Sequence, residues 1–321
     1  MSAAAPAPAS ATPAAAVPGP ASPAQAGDPP LVLSIQSHVA FGHVGNDAAM
    51  LPLQLLGIQP VAVHTVQFSN HTGYGEFKGQ VFPPAHIADV LDGLRARGVL
   101  QRCTAVLSGY LGDAGVGEAI LAAVQEIRAA RPALRYLCDP VMGDVGRGLF
   151  VRPGIPEFLR RRALAQASII TPNQYEFELL HGAPLASVDE AIAAARALLG
   201  DAPGTGPSLI VVTSLRTPDL PQDRLATLAV TGDAAWLVRT PYVDLQPLPN
   251  GMGDVFSAVL LGHLLRGAAT PDAVSGAVSS LYALVSRTTP GQRDLPLVAC
   301  REQIARPSET FAAEPVGSRA R

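Results

Sequence analysis

The chain has 321 residues and a mass of 33.1 kDa, with 48% apolar and 15% charged side chains, a balance that suits a well-cored globular protein and excludes a disordered one. A net charge of −3 and a pI near 6.2 create no field that would recruit nucleic acid or an anionic membrane, and no apolar run is long enough to span a bilayer. Three scattered cysteines without a CxxC argue against a disulfide framework and a zinc site, and Lys78, the only lysine, precedes Gly79, so neither a Gly-Lys-Ser/Thr P-loop nor ready Schiff-base chemistry is available.

In chain order, residues 1–29 are almost wholly alanine and proline and predict a disordered tail. They lack the basic start and continuous apolar stretch of a signal peptide. Short apolar or β-branched runs then predict six strands: Leu31–Ile35, Pro60–Val66, Ala105–Ser108, Tyr136–Cys138, Ser168–Thr171 and Leu209–Thr213. Helical patterns separate most of them. Ala114–Ala130 carries Val116, Ile120, Val124 and Ile127 on one face. Ser187-Val188-Asp189-Glu190 reads as a capping box opening a helix to Leu199, and Thr270-Pro271-Asp272 opens another. The last stretch, 307–321, reads as a loose tail. Residues 30–306 therefore form a single α/β domain, a mainly parallel central sheet covered by helices on both faces.

In such sheets the site lies beyond the carboxyl ends of the strands. Polar residues follow each predicted strand in turn: Ser37, then the run Gln67 to Thr72, Ser108-Gly109-Tyr110, Asp139-Pro140, Thr171-Pro172-Asn173 and Thr213-Ser214. That repetition points to one shared crevice.

The segment Asn250-Gly251-Met252-Gly253-Asp254 runs directly into an apolar helix. Gly251 and Gly253 let the backbone approach an anion, and the unpaired N–H groups of the first turn face it. Asp254 in the same turn can take a proton from an incoming hydroxyl. Together these parts suit phosphoryl transfer to an alcohol, although an aspartate there also serves as a plain cap. Asn173 and Glu176 lie one turn apart and offer hard oxygen ligands to Mg²⁺ held largely through water, or a capping box. Asp139 and Asp144 add carboxylates after the fourth strand, with turn chemistry as the alternative.

Six segments in order, SIQSHVAFGHVGN, TVQFSNHTGYGEFKG, AVLSGYLG, YLCDPVMGD, TPNQYEFELL and GMGDVFSA, resemble the pyridoxal kinase branch of the ribokinase-like superfamily from about Leu31 to Pro307. The resemblance implies a three-layer ribokinase-like fold and ATP-dependent phosphorylation of the 5′-hydroxyl of pyridoxal. It implies Asp254 as base, with Gly251 and Gly253 shaping the anion hole. Ser37, Thr72, Gly73 and Tyr110 would contact the pyridine substrate. Asp139, Thr171, Asn173, Glu176, Thr213 and Ser214 would surround ATP, with Asp139 and Glu176 near Mg²⁺, and the protein would be a cytoplasmic homodimer.

Two departures stand out. Thr213-Ser214 occupies the place where some relatives carry a lysine near the phosphates, so a bound metal or K⁺ would supply that charge. The loop from Asp144 to Leu149 lacks the cysteine with which some relatives reach the pyridoxal aldehyde. A hydroxymethylpyrimidine or sugar kinase is the alternative within the superfamily, although the pyrimidine enzymes commonly place a cysteine where this chain has Met252. A non-catalytic vitamin B6 reservoir is the alternative outside it.

Overall fold

The computed structural model describes residues 28–202 and 205–317, so the expected tail over residues 1–29 lies almost wholly outside the described residues, as do 318–321. In chain order the elements are β1 (Leu31–Phe41), α1 (Asn46–Leu55), β2 (Gln59–Asn70), β3 (Gly79–Val81), α2 (Pro84–Ala96), α3 (Val99–Arg102), β4 (Ala105–Ser108), α4 (Ala114–Ala130) and β5 (Arg135–Cys138). A small hairpin follows, β6 (Gly143–Asp144) and β7 (Gly148–Leu149), then α5 (Ile155–Phe158), α6 (Leu164–Gln166), β8 (Ile169–Ile170), α7 (Gln174–His181) and α8 (Val188–Leu198). The chain closes with β9 (Leu209–Leu215), β10 (Arg224–Val230), β11 (Ala235–Pro241), α9 (Met252–Leu265), α10 (Thr270–Val285), α11 (Arg301–Ala305) and β12 (Glu314–Val316).

The main sheet has ten strands in the order β12-β11-β10-β9-β8-β5-β4-β1-β2-β3. The six from β9 to β2 are parallel, and they are the six that the apolar runs predict. Alternation along β1 shows why helices are needed on both faces. Leu31, Leu33 and Ile35 join the core under α2, α4, α7 and α8, whereas Val32 joins the core under α1, α9 and α10. Helix α9 is buried along nearly its whole length, which suits its lack of any polar stripe.

Two expectations need correction, and one feature went unread. β1 and β2 run well past the predicted ends: after a register shift between Gln36 and His38 they continue as a ribbon to Phe41 and Asn70, and β3 pairs antiparallel with the far end of β2. Ser37 and the residues 67–70 are thus strand residues of a raised flap and do not lie in loops. Second, β10 and β11 form an antiparallel extension of the sheet, turning at Gly232-Asp233, a hairpin signal in the sequence that the run-by-run reading passes over.

Third, the C-terminal stretch is not loose as far as residue 317. β12 pairs with β11, and Phe311 packs edge-on against Tyr282 with ring centroids 4.7 Å apart. Phe311 is also pinned through its backbone, its carbonyl accepting from Ser275 Oγ at 2.6 Å and its N–H donating to Ser279 Oγ at 2.9 Å. An edge strand and one aromatic anchor order this segment although it carries no apolar run or helical pattern of its own.

The predicted helix 114–130 forms as read, and α10 opens at Thr270 with proline in its first turn. Ser187 caps α8 by accepting the Glu190 N–H at 3.2 Å. Glu190 reaches back to the Ala186 N–H, one residue beyond a true capping box.

Candidate active site

The carboxyl ends of the parallel strands, the flap and the start of α9 enclose a cavity of about 850 Å³. Its wall includes Ser37, Thr72, Tyr110, Asp139, Thr171, Asn173, Glu176, Thr213, Ser214, Gly251, Gly253 and Asp254. Every sequence-predicted site residue lies there except Gly73. The Gly73 N–H turns back to His71 Nδ1 at 3.1 Å, and its carbonyl accepts from Arg293 at 2.7 Å, so Gly73 secures the turn that presents Thr72.

The turn into α9 is built by close backbone approach. Gly251 has φ +80°, and a Cβ there would lie 2.0 Å from the His43 carbonyl oxygen, a spot only glycine tolerates. Gly253 lies against Asp139, where an added Cβ would come within 3.3 Å of Oδ2. Gly45, at φ +55°, presses on Ser37 and donates its N–H to the Asp254 carboxylate. Burial pushes the Asp254 pKa up to about 6, the Gly45 N–H opposes the shift, and the nearby Asp47 charge adds to it. A carboxylate so tuned is ionised at neutral pH yet basic enough to take a proton.

Behind it sits a second pair of carboxylates. Asp139 is buried and held well above the usual carboxylate range, first by desolvation and then by the charges of Glu176 and Asp254. Its hydrogen bond from Ser257 Oγ at 3.3 Å works the other way, and Ser257 is linked in turn to Thr171 Oγ1 at 2.8 Å. Burial also raises Glu176, to about 7, although Oε1 accepts the Met142 N–H at 2.8 Å and Oε2 accepts the Asn173 N–H at 2.9 Å. Asn173 Oδ1 accepts the Glu176 N–H at 2.9 Å, so the capping box is real. Capping and pocket lining are therefore compatible roles for the same two side chains. Asp139 raised by Glu176 and Asp254, and Glu176 raised by Asp144, make a crowd of neighbouring carboxylates of the kind that a hard divalent cation relieves.

On the opposite side the cavity is apolar. Val39, Val44, Val66 and Phe68 form a small cluster with Tyr110 and Val81 packed against it, a slot suited to a flat ring. Thr65 Oγ1 donates to the Tyr110 carbonyl at 2.7 Å and fixes the flap to the strand end. Ser214 stands in a bulge of β9 opposite Thr227, with φ +54°, a strained position of the kind concentrated at binding sites.

Sequence reasoning missed two cations in the wall, Arg147 and Arg152, and the brace formed by Asp294. Asp294 accepts from the Tyr74 hydroxyl and from the His43 N–H at 3.1 Å, tying the Thr72 turn to the loop beneath Gly251. Composition held the one available signal for the arginines: with a single lysine in the chain, positive charge in the cavity wall falls mostly to them. Asp294 is far away in sequence and left no local signal.

A family model described as phosphomethylpyrimidine kinase matches residues 57–297. The chain is 49% identical to a pyridoxal kinase PdxY of Deinococcus radiodurans, over 89% of this chain and 96% of that protein. It is 50% identical to one of Rubrobacter xylanophilus, over 87% of this chain and 95% of that protein. Its fold is similar to that of pyridoxal kinase from Leishmania donovani in complex with ADP and pyridoxamine, with a TM-score of 0.81 and 31% identity over 89% of this chain and 99% of that one.

Proposed function

The chain belongs to the phosphomethylpyrimidine kinase family, and from that premise we propose that it is an ATP-dependent kinase acting on the 5′-hydroxyl of pyridoxal. The observation that carries this reading is the junction at Asp254. A base whose pKa is pushed up to about 6 stands in the first turn of α9, between an apolar slot and a nest of buried carboxylates.

The pyridine ring enters the slot formed by Val39, Val44, Val66 and Phe68, with Ser37, Thr72 and Tyr110 as its polar contacts. Its 5′-hydroxyl meets Asp254. The unpaired N–H groups at the start of α9 face the γ-phosphoryl group, and the helix dipole favours the charge that builds there. As the new O5′–P bond forms and the bond to the β-phosphate oxygen breaks, the hydroxyl proton passes to Asp254 and ADP leaves. Thr171, Asn173, Thr213 and Ser214 border the nucleotide side. Asp139 and Glu176 fit Mg²⁺ held largely through water, which when bound would neutralise phosphate charge. K⁺ near Thr213 and Ser214 belongs to the same proposal, because β9 ends without a lysine.

A homodimer is part of this reading. Phe41, 68% exposed at the end of the flap ribbon, offers apolar surface to a second copy, and light scattering would refute the dimer by returning a monomer mass. A cytoplasmic setting agrees with three free cysteines, of which Cys103 and Cys138 are buried. No helix among the described residues is long and apolar enough to cross a membrane.

The test is a coupled ADP-release assay with Mg·ATP and equal concentrations of pyridoxal, pyridoxine, pyridoxamine and hydroxymethylpyrimidine. Turnover led by pyridoxal is expected. A clear preference for the pyrimidine would reassign the substrate, and pyridoxal binding without any ADP release would make the protein a vitamin B6 carrier.

A further inference from the structure

Phosphoryl transfer needs positive charge beside the phosphates, and the wall of this cavity is rich in carboxylates. The chain's one lysine, Lys78, is not part of that wall. Arg147 and Arg152 are the two arginines that are. Arg152 sits on the apolar side: it lies 3.8 Å from Asp113, and its charge acts on Tyr110. Arg147 is carried by the hairpin of β6 and β7, whose root is fixed to the nucleotide side. Glu176 Oε1 accepts the N–H groups of Met142 and Gly143, and Asn173 Nδ2 donates to the Gly143 carbonyl at 2.9 Å. Gly143 itself has no room for a side chain, since a Cβ would meet the Gly148 carbonyl at 2.5 Å and Tyr175 at 2.6 Å.

Beyond that root the hairpin tip is unencumbered. Gly146 and Gly148 take φ +85° and +69°, and Val145 projects into solvent. The Arg147 guanidinium is not committed elsewhere. Its approach to Asp144 is 3.8 Å, with both side chains substantially exposed, a loose surface pairing that holds it only weakly. Its field nevertheless crosses the cavity, because burial and then the Arg147 charge lower the His71 pKa on the facing turn.

We propose that Arg147, presented by the β6–β7 hairpin, is a catalytic cation that binds the phosphate chain of ATP and stabilises the transferring phosphoryl group, a charge that no lysine in the cavity wall supplies. The proposal rests on the kinase reading above. It has two consequences. The hairpin's register, set by Glu176, becomes part of the catalytic geometry. The planar fork of arginine also allows two-point contact with phosphate oxygens that a lysine could not reproduce.

The experiment compares wild type, Arg147→Ala, Arg147→Gln and Arg147→Lys, with Arg161→Ala as a control that removes an exposed arginine far from the cavity. The readouts are kcat, KM for Mg·ATP and for pyridoxal, and the Kd of ATP and of AMP. The neutral variants are expected to lose about 10²–10³-fold in kcat/KM for Mg·ATP. Arg147→Lys should recover part of that loss. AMP affinity and KM for pyridoxal should stay within about twofold of wild type, because neither depends on charge at the β- and γ-phosphates. Added guanidinium should raise the turnover of Arg147→Ala and leave wild type unchanged. Neutral variants within about threefold of wild type would overturn the proposal, and so would a parallel loss of AMP affinity, which would mean that the residue holds the hairpin and does not contact phosphate. A wild-type protein that releases no ADP with any of the four alcohols would sink the kinase reading itself, an outcome visible before any variant is compared.

Discussion

Asp254→Asn is expected to stabilise the protein near neutral pH while nearly abolishing its activity. The carboxyl titrates at about 6 in the folded chain against 3.8 for an unperturbed aspartate, so folding favours its protonated form. Stability is therefore greatest below pH 3.8, declines as pH rises through the window from 3.8 to about 6, and carries the full penalty above it. A shift of about 2 units corresponds to roughly 3 kcal/mol. The asparagine amide still accepts from the Gly45 N–H but is itself desolvated, which offsets about half of that gain. A net stabilisation of about 1–2 kcal/mol at pH 7.5 follows, or a Tm rise of roughly 2–8 °C. Turnover should fall by about 10²–10⁴-fold, the usual consequence of losing a general base. Thermal melts of both proteins at pH 7.5 and 4.5, beside the ADP-release assay, test the argument. The stability gap should shrink by more than half at pH 4.5. If Asp254→Asn melted no higher than wild type at pH 7.5, or if the gap were equal at both pH values, burial would not be what raises this carboxyl.

Other consequences can be measured on the same material. Because Asp254 must be ionised to accept the proton, kcat/KM for pyridoxal should fall tenfold per pH unit on the acid side of about pH 6, and a flat profile down to pH 5 would remove it as the base. Gly251→Ala places a Cβ 2.0 Å from the His43 carbonyl oxygen, so the turn and its anion hole must shift, and φ +80° adds about 1–2 kcal/mol of strain on top of that clash. Its kcat should drop about 100-fold or more at a modestly lower Tm, and near-normal kinetics would show that the turn has no part in the chemistry. Truncation after Arg306 removes β12 and the packing of Phe311 on Tyr282, so denaturant melts should show a loss of about 2–4 kcal/mol. Unchanged stability would mean that the segment is dispensable.

The amino-acid sequence by itself determined the class of fold and picked out many of the residues that line the cavity. Five of the six parallel strands are buried on both faces over most of their predicted spans and β2 on one face, so each announces itself as a largely apolar run, and the crevice residues follow these runs because a parallel sheet puts its loops at one end. Gly251, Gly253 and Asp254 were legible because a close-approach turn and a helix start leave a compact local signature. Asn173 and Glu176 were legible too, but as cap or ligand without a decision between them.

Tertiary structure decided what depends on distant partners. The length of β1 and β2 beyond the sheet, the ordering of Phe311 and β12, and the brace from Asp294 to Tyr74 and His43 rest on contacts between segments far apart in the chain. Such contacts impose no period or spacing on the sequence. The protonation of Asp254, Asp139 and Glu176 belongs to the same class. An aspartate in a sequence carries an ordinary pKa, and only burial beside Asp47 or a second carboxylate, facing a defined set of N–H and O–H donors, moves it. Arg147 lies between the two cases. A single lysine in the composition draws notice to the arginines, and only the folded chain brings Arg147 and Arg152 into the cavity wall.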